Sequence, residues 1–504
     1  MCSWRKNMDK SAHIFGPALA CFAFIGWLSA SPAAALTAPV AFPESRLQSL
    51  SETDTTRQSP RPLIIQGWKT TTGIKTLFIR TTELPMFDVH VSFASGSAHD
   101  GDTPGLAAVT FSLFNEGVSG KRDHAAIAEV FDGLGAKLGM DLDQERATFT
   151  LRSLSDPDKS SPALQLFTQM LGQPSLTEEA LLRVKSELRG LQLAQQQQPA
   201  EIAAQRLQEL LAPDTPYARP LYGTDAGLTS ITRQAVQAFH RQTHSASQTQ
   251  ITLVGDLSVE QAQAISLQIT NALPAPLVAL PAVEPPKSFG MEMHRHVERA
   301  QEQTHVLLGQ PSLSRQHDDF VVLYAATQIF GRGANSRLMT ELRHKRGLVY
   351  DASIRTKDWA GSGLTSIALQ TSPQFANETV ALVKSMLSNF QREGPSQEEL
   401  DHFKRGLANT NIIGSASNEQ ILGRLAEINR HHLPLDLDFF AQQVQRLTLE
   451  QIRMAVDKHL PDDQWRVVTI GPTVQQLPLP QPAIVPTVEP SGHSCRADAG
   501  FVAS

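Results

Sequence analysis

The chain has 504 residues, of which 41% are apolar and 19% charged, the proportions of a globular protein with about three domains. The formal net charge is −6, and no run of like charge is present. Nucleic acid is not an expected partner, because proteins that bind it carry clustered lysine and arginine.

The N-terminus has the pattern of a secretory signal. Basic residues precede an apolar run over residues 14–28, and small residues follow it up to Ala35. The run is short and interrupted by glycine and proline, so it predicts cleavage near Ala35 and no membrane span. A lipid anchor at Cys21 is a less favoured alternative, because the apolar stretch before it is very short. After cleavage Cys495 would be the one remaining cysteine, so no internal disulfide is expected.

The first long segment predicts strands and helices in a fixed order. Alternating apolar residues indicate strands at 76–80 and 87–93, a helix follows at 105–116, another helix at about 123–133, and a strand at 147–151.

The same plan recurs in the second part of the chain. A strand at 304–309 leads into a helix near 319–330, a glycine-containing turn at 331–333, a helix at 335–345 and a strand at 365–370. A repeat distance of roughly 230 residues is too long for a solenoid, so it indicates two homologous α+β halves.

Each half closes with a helix followed by a strand. In the first half, a helix ending at 239–241 precedes a strand at 251–254, and in the second a helix from Thr448 precedes a strand at 466–471. The predicted organisation is a signal peptide, an N-terminal extension, a first half, a proline-rich linker, a second half and a disordered proline-rich tail, at 1–35, 36–62, 63–271, 272–288, 289–472 and 473–504.

The stretch Ala108-Val109-Thr110-Phe111-Ser112 follows Gly105-Leu106-Ala107 and precedes Gly117. This frame resembles the metal helix of the insulinase/pitrilysin zinc metallopeptidases, which carries His-x-x-Glu-His. In that family the two histidines bind zinc and the glutamate is the general base. Here Ala108 and Ser112 stand at the histidine positions and Phe111 stands at the glutamate position. A catalytic zinc needs about three protein ligands, so the resemblance predicts no metal site in this chain.

The resemblance places a third zinc ligand, a glutamate, on a later helix. By its apolar pattern that helix is 177–193, and Val184 falls at the ligand position. Glu187 lies one turn further and is interpreted as a residue of a solvated helix face. His240 and His244 lie four residues apart and could mimic a metal pair, but we interpret them as surface histidines because no third ligand is apparent.

A second stretch that resembles the family lies in the second half. The stretch from Leu342 to Tyr350 resembles the segment in which an arginine and a tyrosine, seven positions apart, contact the substrate carbonyl across the cleft from the zinc. Arg343 and Tyr350 match that spacing. A guanidinium and a phenol are donors suited to a carbonyl oxygen that gains charge. The alternative is that Arg343 is an exposed helix cation and Tyr350 a core aromatic.

A lost metal helix with a retained Arg/Tyr element resembles the non-catalytic subunit of a two-chain bacterial member of the family. The resemblance implies an α+β fold of two homologous halves, each a mostly antiparallel sheet packed with helices, forming a clam-shell. It also implies a periplasmic partner with an intact His-x-x-Glu-His that holds the zinc, a peptide substrate, and no cofactor in this chain.

Two other functions remain open. A periplasmic scaffold could bind peptides by strand addition without catalysis, although it would not need Arg343 and Tyr350 at that spacing. An independent hydrolase is disfavoured because no Gly-x-Ser-x-Gly motif is present and Cys495 lies on the tail.

Overall fold

The computed structural model describes residues 63–118, 122–275, 280–281, 283–284, 293–359 and 361–483. The predicted signal peptide, the N-terminal extension up to residue 62, most of the proline-rich linker and the end of the tail lie outside these residues. No helix within the described ranges combines the length and the apolar character that crossing a bilayer requires.

The first half contains eight strands and eight helices within the described residues. The strands are β1 (Ile65–Lys69), β2 (Lys75–Arg80), β3 (Met86–Phe93), β4 (Gly117–Val118), β5 (Arg122–Asp123), β6 (Lys137–Leu142), β7 (Ala147–Leu154) and β8 (Thr249–Gly255). The helices are α1 (Leu106–Leu113), α2 (His124–Leu134), α3 (Pro157–Gly172), α4 (Glu178–Gln195), α5 (Pro199–Leu211), α6 (Asp225–Ser230), α7 (Arg233–Thr243) and α8 (Val259–Ala272).

The second half contains five strands, seven α-helical segments and a π-helical turn within the described residues. The strands are β9 (Met293–Glu298), β10 (Thr304–Ser312), β11 (Val349–Trp359), β12 (Ser362–Thr371) and β13 (Arg466–Gly471). The helices are α9 (Phe320–Gly331), α10 (Arg337–Met339), α11 (Ala376–Glu393), α12 (Gln397–Ile413), α13 (Asn418–His431), α14 (Phe439–Gln445) and α15 (Leu449–His459). The π-helical turn (Thr340–Lys345) continues directly from α10.

Each half is built on one large sheet, and β4 and β5 form a separate two-stranded sheet in the first half. The first sheet has the order β1-β2-β8-β3-β7-β6 and is antiparallel except for the parallel pair β2/β8. The second has the order β11-β12-β10-β13-β9 and is antiparallel except for β13/β9. In both sheets the strand that closes the half lies between two other strands, which explains why the closing strands are strongly apolar. The prediction of two α+β halves with mostly antiparallel sheets is confirmed.

Each half contributes one helix that packs on the sheet of the other half. The first-half helix α5 packs on β10 and β13, where Leu207 and Leu211 join Val468 and Ile470 in one buried cluster. Close approach of α5 requires Gly309, because a Cβ there would lie 2.7 Å from a Leu207 methyl carbon.

The second-half helix α13 makes the reciprocal contact with the first sheet. Leu422, Leu425 and Ile428 pack with Leu77 and Val254 of β2 and β8. Each sheet is therefore covered partly by a helix from the other half, so neither half buries its full core alone. The predicted domain boundaries at 63–271 and 289–472 stay predictions.

The segment after β13 differs from the prediction of a disordered tail. Residues 473–483 form neither helix nor strand but contact the second half, where Leu479 packs against its core. The backbone N–H of Leu477 donates to the carbonyl of Gln374 at 2.8 Å. The proline content suggested disorder. Proline lacks an N–H, however, and two of the remaining N–H groups, those of Leu477 and Ala483, donate to carbonyls of the second half. Residues 484–504 lie outside the described part of the chain.

Candidate functional site

Helix α1, which would carry the metal motif, is fixed at its N-terminus by Asp100. The Asp100 carboxylate accepts hydrogen bonds from the backbone N–H groups of Gly105 and Ala107, each at 2.7 Å. Gly105 has a φ of 104°, a conformation that glycine adopts readily, and it redirects the chain into the helix. Burial raises the pKa of Asp100 to about 6, although the two amide hydrogen bonds oppose the rise. The two hydrogen bonds fix the start of the helix that carries Ala108 and Ser112.

The side chains at the metal positions do not fit zinc. Ala108 on α1 and Val184 on α4 are 1% and 0% exposed and belong to one apolar cluster. Phe111 packs against the ring of Phe149 with centroids 5.5 Å apart, and only Ser112 offers a polar atom. Zinc sites use thiolate, imidazole and carboxylate ligands, none of which these four residues supply.

Glu187 is exposed on α4, as predicted for a solvated helix face. The interpretation of His240 and His244 as surface histidines is wrong. Both are buried, at 5% and 1% exposure, and burial lowers the pKa of each. His240 hydrogen-bonds through Nε2 to the carbonyl of Leu171 at 3.0 Å, so it is a core residue.

His244 lies in an aromatic cluster that also contains Phe93, Phe114 and Phe149. Its Nδ1 forms a hydrogen bond with the hydroxyl group of Thr243 at 2.9 Å, and its Nε2 forms one with the hydroxyl group of Ser95 at 3.3 Å. Neither nitrogen is directed at a carboxylate, and the neutral ring serves packing.

The described residues include one group that could hold a metal ion by residue type. The ligand atoms of His317, Asp319 and His459 lie within 4.8 Å of one another, where the start of α9 meets the end of α15. Asp319 Oδ2 is already engaged by His459 Nε2 at 2.8 Å and by Lys458 Nζ at 3.0 Å. These contacts hold the pKa of Asp319 below its usual value and connect the two helices.

The structure brings Arg343 and Tyr350 together. The Arg343 guanidinium carbon lies 4.8 Å from the centre of the Tyr350 ring, in a cation–π contact. Tyr350 is 81% exposed and Arg343 is exposed as well, so the alternative of a core tyrosine is excluded. Two donor side chains thus lie side by side on the surface of the second half.

Irregular backbone produces this arrangement. Arg343 lies in the π-helical turn, and Tyr350 lies in β11 at a register shift between Val349 and Ala352. β11 is an edge strand of its sheet. π-helical turns and β-bulges are both common at functional sites, because they redirect side chains that regular elements would bury.

A charged network supports the π-helical turn. Glu341 accepts hydrogen bonds from Lys345 Nζ and Arg346 Nε, both at 2.9 Å. Burial would raise the pKa of Glu341, but these two cations outweigh it and hold the pKa below its ordinary value. Sequence reasoning missed this network, although Glu341 and Lys345 at i and i+4 were a detectable signal.

A second polar region, also missed, lies where the two halves meet. Arg430 of α13 forms ion pairs with Asp143 at 3.0 Å and Glu145 at 3.1 Å, in the loop between β6 and β7. The partners are 285 or more residues apart in the sequence, so no local pattern relates them.

Comparison with known proteins agrees with this structure. Residues 76–225 match the profile described as insulinase, peptidase family M16, and residues 230–407 match that of the peptidase M16 inactive domain. The crystal structure of a peptidase M16 inactive domain from Pseudomonas fluorescens is 39% identical, with a TM-score of 0.78, over 83% of this chain and 100% of that one.

Two Helicobacter pylori proteins are more distant. The non-peptidase homologue YmxG is 26% identical over 384 residues, which cover 75% of this chain and 87% of that protein. The crystal structure of a protease from the same species is 17% identical with a TM-score of 0.75, covers 82% of this chain and 100% of that one, and supports the fold alone. The chain belongs to the insulinase family of peptidases, family M16, as an inactive homologue whose metal positions hold apolar or hydroxyl side chains.

Proposed function

We propose that this protein is the non-catalytic subunit of a heteromeric periplasmic zinc metallopeptidase. The partner subunit, with an intact His-x-x-Glu-His, supplies the zinc and the general base. This chain lines the substrate chamber and presents Arg343 and Tyr350 to the scissile carbonyl of a peptide. The predicted signal peptide supports export of the chain to the periplasm.

The observation that carries the proposal is the contrast between the two halves. The metal positions of the first half are closed by apolar packing, whereas Arg343 and Tyr350 of the second half are exposed and in contact with each other. An exposed cation–π pair adds little to the stability of an isolated chain, about 0.5–1 kcal/mol. Its placement on irregular backbone is explained more readily by a role toward a ligand.

The chemistry requires only donors from this chain. As the carbonyl carbon is attacked, its oxygen gains negative charge, and N–H and O–H donors held in place stabilise that charge. The Arg343 guanidinium offers N–H donors in a fixed planar geometry, and the Tyr350 hydroxyl offers one O–H donor. No step of this role needs a metal ligand or a nucleophile in this chain.

The first test is reconstitution. The purified chain alone should contain no stoichiometric zinc by elemental analysis and should cleave no peptide library. Addition of the companion peptidase, sought first in the neighbouring reading frame, should give cleavage above that of the companion alone. Tightly bound zinc together with proteolysis by the pure chain would contradict the proposal, and stable peptide binding without any companion effect would favour the scaffold function.

The second test addresses the two donors. Arg343→Ala and Tyr350→Phe should each lower kcat of the reconstituted enzyme by roughly 100-fold, the loss typical for one oxyanion donor, while leaving complex formation intact. Arg405→Ala removes an exposed arginine from α12, and Tyr324→Phe removes a phenol hydroxyl from α9, so both serve as matched controls. Unchanged turnover in both site variants would remove the role assigned to the pair.

A further inference from the structure

The segment 473–483, which we call the C-terminal strap, is attached to the second half along its whole length. Thr473 donates its backbone N–H to Glu298 at 3.1 Å. Gln476 donates through Nε2 to the carbonyl of Pro373 at 3.0 Å and accepts from the backbone N–H of Asn377 at 3.0 Å. Leu479 then packs against the core of the half. These contacts hold the strap along a path from β9 to the segment that carries Arg343.

The far end of the strap contacts the π-helical turn directly. Ala483 donates its backbone N–H to the carbonyl of Lys345 at 2.7 Å. Arg346 donates through a terminal guanidinium nitrogen to the carbonyl of Pro480 at 2.8 Å, and its Nε binds Glu341 within the turn. One side chain therefore connects the strap to the start of the turn, and one backbone hydrogen bond connects the strap to its end.

These contacts fall where the turn is weakest. The last carbonyls of a helix lack partners within the helix, and Lys345 is the final residue of the π-helical turn. π-helical geometry is rare, so surrounding contacts are expected to stabilise it. Arg343 itself is exposed, and its side chain rests on the Tyr350 ring. The direction of its guanidinium consequently depends on the backbone of the turn.

We propose that the C-terminal strap and Arg346 form a positioning device that holds the π-helical turn in the geometry presenting Arg343 to a substrate carbonyl. This inference rests on the proposed function for its catalytic meaning, but the structural dependence of the turn on the strap can be measured without a partner. If the strap only covered apolar surface, its loss would lower the stability of the whole half and would not affect the turn selectively.

The structural test is amide hydrogen exchange of the purified full-length protein. Ala483→Pro removes the one N–H that reaches Lys345, in a segment already rich in proline. Gln481→Pro is the matched control, since among the described residues the Gln481 N–H has no hydrogen-bond partner. In Ala483→Pro, amides of residues 340–347 should exchange about fivefold faster, the factor that corresponds to one typical hydrogen bond, with α9 unchanged.

Truncation provides a second, larger change. A chain that ends after Pro472 lacks the strap, and a chain that ends after Ala483 keeps it. The first should show faster exchange over residues 340–347 than the second, beyond any increase in α9. Equal exchange in both chains, or an increase spread evenly over the second half, would overturn the inference.

The catalytic readout uses the reconstituted enzyme. Arg346→Met should lower kcat about fivefold with KM and complex formation unchanged, and Arg346→Lys should recover part of the loss because lysine can reach only one of the two acceptors. Unchanged kcat in Arg346→Met would overturn the positioning role. A different outcome separates the two proposals. If Ala483→Pro speeds exchange in the turn but Arg343→Ala does not change turnover, the role of the strap stands and the proposed function is contradicted.

Discussion

At the residue scale, the side chains of Ala108, Phe111 and Val184 explain why the metal positions cannot bind zinc. They are apolar, and they lie in buried or half-buried positions. Ala108 and Val184 fill the space between α1 and α4, and Phe111 joins the aromatic packing around Phe149. Restoring ligands there would therefore disturb a packed core as well as adding chemistry. The positions that would bind zinc are instead part of the packed core. This differs more from an active site than the loss of the general base alone would.

A substitution at Val184 tests this conversion. Val184→Glu should lower the free energy of unfolding by about 3 kcal/mol, because a carboxyl group without a partner would be buried among apolar side chains. The pKa of that carboxyl would rise in the folded state, so the loss relative to wild type should be smaller at pH 5 than at pH 7.5.

Urea unfolding at the two pH values measures the effect. Leu182→Glu on the same helix is the control, because Leu182 is 61% exposed, and it should change stability by less than about 0.5 kcal/mol. Equal losses for the two variants would show that Val184 does not occupy the apolar site described.

At this scale the sequence predicted the absence of zinc ligands at the metal positions, but it did not predict that His240 and His244 are buried. The identity of Ala108, Phe111, Ser112 and Val184 can be compared with a motif position by position, and so can the spacing of Arg343 and Tyr350. The environment of His244 cannot, because the rings of Phe93, Phe114 and Phe149 that surround it come from three separate elements. The four-residue spacing of His240 and His244 therefore did not reveal that both side chains are buried.

At the scale of elements, the decisive contact is α13 on the first sheet. The alternating polar residues of β3, β7 and β8, among them His90, Ser92 and Thr252, are typical of a sheet face in water. In the structure α13 covers this face, and Asn429 donates through Nδ2 to the carbonyl of Ile251 at 2.9 Å. Polar side chains are consequently enclosed between two halves.

The enclosed His90 makes stability depend on pH. Burial lowers the pKa of His90 to about 4, with Arg146 acting in the same direction, and Glu427 only partly opposes them. The pKa of His90 is lower in the folded than in the unfolded chain, so acid protonates the unfolded chain first and favours unfolding. The stability that comes from keeping His90 neutral is therefore fully present above pH 6.5 and is lost as the pH falls toward 4. Between pH 7.5 and pH 5 the contribution of His90 should amount to about 2 kcal/mol.

Urea unfolding of wild type and His90→Gln at pH 7.5 and pH 5 measures that contribution. The variant should lose about 2 kcal/mol less than wild type on acidification. His402→Gln, which changes an exposed histidine of α12, should follow wild type. Identical pH dependence in wild type and His90→Gln would contradict the enclosure of this ring.

At the scale of the whole molecule, the two halves are joined by exchanged helices and by ion pairs. The Arg430 pairs with Asp143 and Glu145 lie at the junction and are partly exposed, with 25% of the arginine side chain accessible. Partly buried pairs of this kind cost more to break than exposed ones, because removal of one charge leaves its partners without compensation.

Arg430→Ala should lower the free energy of unfolding by about 2 kcal/mol, since two carboxylates lose their common partner. Denaturant unfolding followed by circular dichroism gives this value. Arg453→Ala removes the exposed pair with Glu450 and should cost less than about 0.5 kcal/mol. A loss for Arg430→Ala no greater than that of the control would show that the junction does not depend on this residue.

The sequence by itself determined the two-half α+β plan, the main strands and helices of its repeated order, the absence of zinc ligands at Ala108, Ser112 and Val184, and the spacing of Arg343 and Tyr350. These features are encoded in local periodicity and in residue identity at fixed spacing. Only the tertiary structure decided the packing of α5 and α13 on the sheet of the other half, the enclosure of His90, the burial of His244, the junction at Arg430 and the course of the strap. Each of these joins segments that are distant along the chain, and local patterns carry no information about which distant surface will cover them.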